Sequence, residues 1–543
     1  LPSPSLALDE TIRATTLEAT DRAFDAIVIG AGAAGGLAAQ LLCEAGLEVL
    51  LLDAGFRPPF WSAPVRRLTA TLVQSVADPR IASFAPPAMI NLGRKALRVF
   101  GGVRQPVQTR CFAWERMPEA FVDDIDCPYE TPRDKPFTWI RTQGLGGRMI
   151  VPGHGRQYYR LGPDDFAPRD GLSPRWPFAP GDLDRWYSLV EQRLALFGER
   201  DGVPFAPDSD IAHLLRPTTS EAVLRMTIQS QWPKAAAILG RYAPPLASVE
   251  AANATGKLWC RTGALVQRVE ADGDGRVRGV EWHDRQTRCN AAARAPMVFL
   301  CASTLESTRI LMMSQSGTGN GLARSSEALG RHLMDHIMVK VEGVGHKLAG
   351  ERVSIDDGRC LYLPRFDLRD GGQDPSRGYG VQVYQGAAGG DQSYFTAVAF
   401  CEMAPRAENR VSLDASRKDA WGAPALRIEC SHNDTERALA RKMTTALRDL
   451  TKLVDAKVGR LDEAPDMPGT AIHECGTARM GDDPTTSVLD PHNQCWDARG
   501  LYVTDGASFP SQGSQNPTLT IMALTARACD HALRSQGVAG LTE

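Results

Sequence analysis

The stretch that decides the fold is FDAIVIGAGAAGGLAAQLLCEAGLEVLLLDAG, Phe24–Gly55. AIVIG (Ala26–Gly30) is a short apolar run of the kind buried on both faces of a parallel sheet. AAGGLAAQLLCEAG (Ala33–Gly46) reads as a helix with small residues on one side, and LEVLLLD (Leu47–Asp53) as a second buried strand. Gly30, Gly32 and Gly35 stand at the turn between strand and helix, where they permit close approach of backbone to another group. The start of the helix, with Ala33 and Ala34, then offers unbonded N–H groups and the positive end of the helix dipole to a pyrophosphate. Asp53 and Ala54 follow at the end of the second strand, Asp53 lying 18 positions after Gly35, where a carboxylate can accept from a ribose hydroxyl. The segment implies a dinucleotide site, and it fits NAD and FAD alike.

The whole chain, at 543 residues, has room for about two to four domains. With 61 basic and 64 acidic residues and no block of like charge, nothing points to a nucleic-acid partner. The twelve cysteines are scattered, no two within three positions of each other, which removes CxxC, haem-attachment and iron–sulfur spacings and leaves no metal site to expect. They read as reduced, buried, small apolar side chains of a cytoplasmic protein. Residues 1–23 are polar and do not read as a secretory signal. No apolar run approaches the roughly 20 residues of a membrane span, so a soluble protein without a membrane segment is expected.

Residues 60–135 have no clear period and read as an irregular excursion. WIRTQGLGGRMIVPGHGRQYYRLGPDDF (Trp139–Phe166) is a second glycine-rich place, with Gly146, Gly147 and Gly153 among its glycines. Residues 180–198 read as an amphipathic helix with Asp182 near its start, and residues 264–284 as a hairpin turning at DGDG. APMVFLCAS (Ala295–Ser303) returns as a buried strand, followed by a helix over 305–314. From about 352 to 430 apolar residues alternate through RCLYLPRFDL, GYGVQVYQ, YFTAVAFCEM, NRVSLD and ALRIEC, which reads as one large antiparallel sheet, with a helix over 435–459 across it. The fold class is therefore α/β. A Rossmann-type nucleotide domain built from 20–60, 136–166, 250–345 and 465–543 is interrupted by a substrate domain of 61–135, 167–249 and 346–464, the latter a sheet backed by helices.

Two C-terminal pieces carry chemistry: IHECGTARMG (Ile472–Gly481) and LYVTDGASFPSQGSQNPTLTIMALTARACDHAL (Leu501–Leu533). Asn516 before Pro517 and Thr518 is ordinary helix-start chemistry, so Asn516 reads either as a cap or as a group at a positive pole. Here the sequence resembles the glucose-methanol-choline (GMC) oxidoreductases. IGAGAAGG with LLDAG, GLGGR…GRQYYRLGPDDF, ASTLESTRILMMS…LGRHLMDH and HECGTARMG…LYVTDGASFPSQGSQNPTLTIMAL carry the resemblance, which is strongest to the bacterial sugar and gluconate dehydrogenase branch.

The resemblance implies FAD rather than NAD, and oxidation of an alcohol by hydride transfer to the flavin N5. It places His473 on the catalytic histidine and Asn516 on the second catalytic position. It also places Asp505 and Gly506 on the flavin-contacting pair, Val266 where a hairpin backbone touches adenine, and Ala302 and Arg148 in the cofactor site. The family's usual Glu is Asp53 here, and the loop after GGR runs about two residues longer, with His154 near the position of a tryptophan. Arg148, not His, follows Gly146–Gly147, so the FAD is expected without a covalent link.

Histidine suits the removal of a hydroxyl proton because its ordinary pKa lies near neutrality. His336 and His332 read as packing or hydrogen-bonding residues, His154 as either a pocket or a turn residue, and Arg479 as a partner of a phosphate or a carboxylate. Substrate-facing polar groups are sought among Arg365, Gln382, Gln385 and Glu402, with His154 and Gln385 as the named candidates. The expected partners are a small-molecule alcohol of sugar-like or cyclic polyol type, and oxygen or an external electron acceptor. An aromatic or aliphatic alcohol, a redox-neutral lyase reaction, and dependence on a small accessory subunit are the alternatives.

Overall fold

The computed structural model describes residues 23–55, 99, 103–167, 171, 173–203, 205–316, 322–323, 325–346, 358–371, 378–389 and 392–541. The polar reading of residues 1–23, save Ala23, and the irregular reading of 60–135 over residues 60–98 lie outside the described residues. Among the described residues, five parallel strands form the nucleotide-type sheet in the order Leu501–Val503, Val298–Leu300, Ala26–Ile29, Val49–Asp53, Leu258–Thr262. The first two strands and the helix between them, Ala33–Glu44, follow the sequence reading closely. All nine strand residues are buried, as their unbroken apolar runs require. Ala33–Glu44 packs between the C-terminal helix Thr518–Ser535 and the short helix Ser248–Ala254. Its small residues permit that approach: a Cβ on Gly36 would sit 3.5 Å from the Ser248 side chain. Segments from the start, middle and end of the chain thus close on one sheet.

The hairpin Ala264–Ala271 and Val277–Asp284 extends with Cys289–Arg294 and a short parallel strand, Gln315–Ser316, into a separate sheet. A register shift between Val266 and Arg268 marks a bulge in its first strand. Such a bulge leaves backbone groups outside the ladder.

The large antiparallel sheet differs from its sequence reading in three ways. Its order is Lys457–Leu461, Ile337–His346, Gln392–Cys401, Tyr379–Gly389, Leu361–Leu363, Ile238–Leu239. The strand Ile337–His346, read from sequence within the nucleotide segment 250–345, is a member of this sheet, pairing with Gln392–Cys401 along its whole length. Conversely, NRVSLD and ALRIEC lie elsewhere: Arg410–Lys418 pairs with Pro424–Glu429, which pairs in turn with Tyr129–Glu130, in a smaller sheet. Alternation reports that a strand is half-buried, not which sheet it joins. The helix read over 435–459 ends at Leu453, and Lys457–Leu461 becomes an edge strand. That helix starts on a capping box, with Asn433 Oδ1 accepting from the Glu436 N–H at 2.8 Å and Glu436 Oε2 from the Asn433 N–H at 2.7 Å.

The sheet has two different faces. Val339, Val341, Val381, Val383, Ala397 and Ala399 are fully buried, and the helix Asp434–Leu453 packs on this sheet. The alternate residues Met338, Lys340, Gln382, Tyr384, Thr396 and Phe400 face a cavity shared with the nucleotide-type domain.

Candidate active site

The cavity, about 560 Å³, runs from the glycine turn of the nucleotide-type domain to the polar face of the six-stranded sheet. At the first end, Gly30 has φ +91°, and a Cβ there would lie 2.4 Å from the Cys301 carbonyl oxygen. A Cβ on Gly35 would lie 1.8 Å from the Gly30 oxygen. On Gly32 it would meet nothing nearer than the Gly147 Cα at 3.9 Å. Gly30 and Gly35 therefore shape the turn, and Gly32 keeps the cavity floor open. No side chain caps the helix that follows, so its first N–H groups are free of protein partners of that kind. Asp53 accepts from the Ala31 N–H at 2.9 Å through Oδ2 and from the Gly55 N–H at 2.7 Å through Oδ1. Burial pushes its carboxyl upward against these hydrogen bonds. Asp53 holds the turn together as well as lining the cavity.

At the second end stand His473 and Asn516. The loop that delivers His473 is gathered by Asp335, whose Oδ1 accepts the His473 N–H at 2.9 Å and whose Oδ2 accepts the Gly469 and Ala471 N–H groups at 2.7 and 3.3 Å. Burial raises the Asp335 carboxyl to about 7. Gln512 Nε2 donates to the His473 carbonyl at 2.6 Å. The imidazole then faces Asn516, with Nδ2 3.2 Å from His473 Nε2. Burial, with His336, Arg148 and His154 nearby, holds its pKa well below the usual histidine range, so the ring is neutral.

Asn516 is not a cap. Pro517 occupies the N-cap position of Thr518–Ser535, and no side chain closes that helix start. The Asn516 amide is taken instead by His473 on one side and by Gln382 Nε2, 2.7 Å from Oδ1, on the other. Arg148 pairs with Glu474 at 2.7 Å and donates to the Ile472 carbonyl at 3.0 Å. Asp505 accepts the Ala507 N–H at 3.0 Å and the Ser307 hydroxyl, and burial raises it to about 6. Gly506 is needed for close approach: a Cβ would lie 2.5 Å from the Glu474 oxygen.

Of the residues singled out from sequence, Gly30, Gly32, Ala33, Ala34, Asp53, Ala54, Gly147, Arg148, Gly153, Val266, Ala302, Asp505, Gly506, Pro517 and Thr518 line this cavity, with His473, Asn516 and His154. Gly35 and Gly146 lie behind it. Gly146, at φ +91°, donates its N–H to the Ala31 carbonyl at 2.9 Å and so ties the second glycine loop to the first.

Gln385 needs a correction. It is buried and does not line the cavity, because it has the parity of Val381 and Val383 and so points to the helix-covered face. Arg365 pairs with Asp367 at 2.9 Å, and Glu402 accepts the Gln512 N–H at 3.0 Å. Arg479 donates to the Thr486 carbonyl at 2.9 Å. His154 is buried, stacks on Phe112 with ring centres 4.9 Å apart, and has its pKa lowered by burial to about 3. His332 bonds the Pro405 carbonyl at 3.0 Å. His336, read only as a packing or hydrogen-bonding residue, stands 2.8 Å from His473, Nδ1 to Nδ1. Asp335, Gln382, Tyr384 and Gln157 were not distinguished as a group in the sequence; the DH of RHLMDH was the available signal for the first.

The family model described as GMC oxidoreductase matches residues 405–525, the region that supplies His473 and Asn516. The chain is 26% identical over 569 aligned positions to the paromamine 6'-oxidase of Streptomyces fradiae, spanning 96% of this chain and 92% of that protein. It is 31% identical to the 2-methyl-1,2-propanediol dehydrogenase of Mycolicibacterium austroafricanum over 50% of this chain and 54% of that one.

Over its C-terminal part, residues 405–525, the chain matches the GMC oxidoreductases.

Its fold is that of the pyridoxine 4-oxidase from Mesorbium loti, with a TM-score of 0.59 at 19% identity, over 94% of this chain and 99% of that structure. GMC oxidoreductases are FAD-dependent enzymes of alcohol oxidation, and the residues present fit that cofactor. The uncapped helix start and the open space over Gly32 suit a pyrophosphate, and the bulge beside Val266 suits an adenine read by backbone. All twelve cysteines are described and none is in a disulfide, and ten of them are buried. Among the described residues no group of His, Cys, Asp and Glu is arranged to hold a metal ion, and no helix is long and apolar enough to cross a membrane.

Proposed function

We propose that this GMC oxidoreductase converts a CH–OH of a sugar-like or cyclic polyol substrate to a carbonyl, with His473 and Asn516 as its catalytic residues. The observation that carries the reading is their juxtaposition: an imidazole Nε2 and an amide Nδ2 lie 3.2 Å apart, facing the cavity that the glycine turn also lines. FAD, when bound, supplies the hydride acceptor at N5. Residues 30–34, Asp53, Val266, Ala302, Asp505, Gly506 and the start of Thr518–Ser535 would hold it, without a covalent link.

An alcohol gives up hydride readily only as its O–H proton departs, so a base must stand at the hydroxyl. His473 is neutral in its enclosed position and so accepts that proton at Nε2 without first losing one. Asn516 Nδ2 donates to the substrate oxygen and holds it against the base. The protonated ring is disfavoured by burial and by Arg148, so the proton is taken up only as the substrate's charge would otherwise develop. Lys340, Gln382, Tyr384 and Thr396 give the sheet wall donors and acceptors suited to a polyhydroxyl substrate. Electrons leave to oxygen or to an external acceptor, either directly or through a small accessory subunit.

The test is anaerobic mixing of the holoenzyme with sugars, cyclic polyols and benzylic alcohols, following flavin absorbance. Bleaching by sugars or polyols is expected. No bleaching by any alcohol, together with turnover of another compound, would replace oxidation by a lyase reaction.

A further inference from the structure

We infer that His336 and Gln382 are positioning residues: two hydrogen-bond relays, anchored on the backbone carbonyls of Gly513 and Gly358, give His473 a bare Nε2 and turn the Asn516 N–H toward it. The inference rests on the His473–Asn516 reading above and adds how the polarity of that pair is set.

A carbonyl oxygen only accepts. His336 Nε2 lies 2.7 Å from the Gly513 oxygen, so Nε2 carries the proton. Burial lowers the His336 pKa to about 4, which leaves the ring neutral and its Nδ1 bare. That Nδ1 is 2.8 Å from His473 Nδ1, so His473 donates from Nδ1. A neutral His473 then has its lone pair at Nε2, on the side of Asn516.

The second relay starts from Gly358. Gln157 Nε2 donates to the Gly358 carbonyl at 3.2 Å, which sets the orientation of its amide. The same NH2 donates to Tyr384 Oη at 2.6 Å. Tyr384 therefore spends its own proton on Gln382 Oε1 at 3.2 Å. Gln382 Nε2 is left to donate to Asn516 Oδ1 at 2.7 Å, and Asn516 presents Nδ2 to His473. Reversing either relay would set donor against donor or lone pair against lone pair at a buried contact. The two polarities meet correctly only with His473 Nε2 as acceptor and Asn516 as donor. A hydroxyl entering between them finds both partners already oriented.

The holoenzyme labelled with 15N-histidine tests the first relay without turnover, its signals assigned with His336→Phe and His473→Ala. Nitrogen shifts are expected to show His473 protonated at Nδ1 and His336 protonated at Nε2. A His473 protonated at Nε2 would overturn the proposal. The second relay is tested by Gln382→Glu against Gln382→Met. An ionised carboxylate accepts where the amide donated, so Asn516 turns its N–H away from His473. Flavin reduction in Gln382→Glu should fall about tenfold below Gln382→Met at high pH. It should return to the level of the Met variant as the introduced carboxyl is protonated and donates again. Tyr384 and His473 in the relays, Lys340 in the same cross-strand row, and Glu342 also titrate or carry charge facing the cavity, but they are common to both variants. A ratio of the two rates that does not change with pH would overturn the second relay. Failure of His473 as the base would appear separately, as undiminished flavin reduction in His473→Ala.

Discussion

Beneath residues 30–35 the groups that face the cavity are backbone N–H groups and bare glycine surface, whereas beneath the six-stranded sheet they are the side chains of His473, Asn516, Gln382 and Tyr384. The difference lies in how each end is built. The nucleotide end comes from one continuous strand–turn–helix–strand, so its geometry is a local property of the chain. The chemistry end draws on residues near 157, 336, 382, 473 and 516, brought together only when both domains are folded. A backbone site is broken by adding atoms, a side-chain site by removing them.

That contrast makes the largest expected effect a glycine substitution. In Gly35→Ala the new Cβ would overlap the Gly30 oxygen at 1.8 Å, and this is backbone that cannot swing aside. The purified variant should carry no FAD and melt well below the wild type. Gly32→Ala is its control, because its Cβ meets only open cavity. It should keep its apo stability within about 0.5 kcal/mol while binding FAD about tenfold more weakly. Equal flavin content in wild type and Gly35→Ala would break the comparison at its first end.

At the second end, His473→Ala removes atoms and adds none. Flavin content should be unchanged, and flavin reduction measured by anaerobic stopped flow should slow by about 100-fold or more. A loss under about threefold would take the base role from His473.

How much of this was legible follows the same division. The strands, helix and glycines of residues 24–55 could be read because period, length and turn chemistry are all local there. His473 and Asn516 could be named only through the HECG and QNP contexts of a family resemblance, since neither residue carries a local signal of its partner. Gln382 and Gln385 illustrate the limit. They stand three positions apart on one strand and so face opposite sides of the sheet, but which of the two faces the cavity is decided only by what packs on each side. His336 was placed among structural histidines because a hydrogen-bonding histidine in a loop has no signature until its neighbour is known. Capping by Asn516 was the ordinary local expectation, and it yielded to a tertiary partner: the helix begins one residue later and Gln382 takes the amide.

The smallest expected effect distinguishes the two ends by pH. His154, at the chemistry end, is lowered by burial to about 3, so between about 3 and the ordinary histidine value of about 6.5 the unfolded chain binds a proton that the folded chain does not. Its contribution to stability is therefore present above 6.5 and is lost as pH falls through that window. Asp53, at the nucleotide end, is shifted upward, so its contribution is fully present below the ordinary carboxylate value and is lost as pH rises. Acidification from 6.5 should thus remove the His154 contribution at the chemistry end while sparing that of Asp53 at the nucleotide end. The measurement is the denaturant stability of wild type relative to His154→Leu across pH. The difference should shift against the wild type by about 1.4 kcal/mol per pH unit between 6 and 4. His154 is buried against Phe112 and Cys111, whose Sγ lies 3.4 Å from its Nε2, and the charges acting on it, Arg148 and Arg156, are positive and oppose its protonation. A difference that stays flat over that range would mean that the imidazole titrates as freely in the folded chain as in the unfolded one, and that the second end of the cavity is wetter than its packing implies.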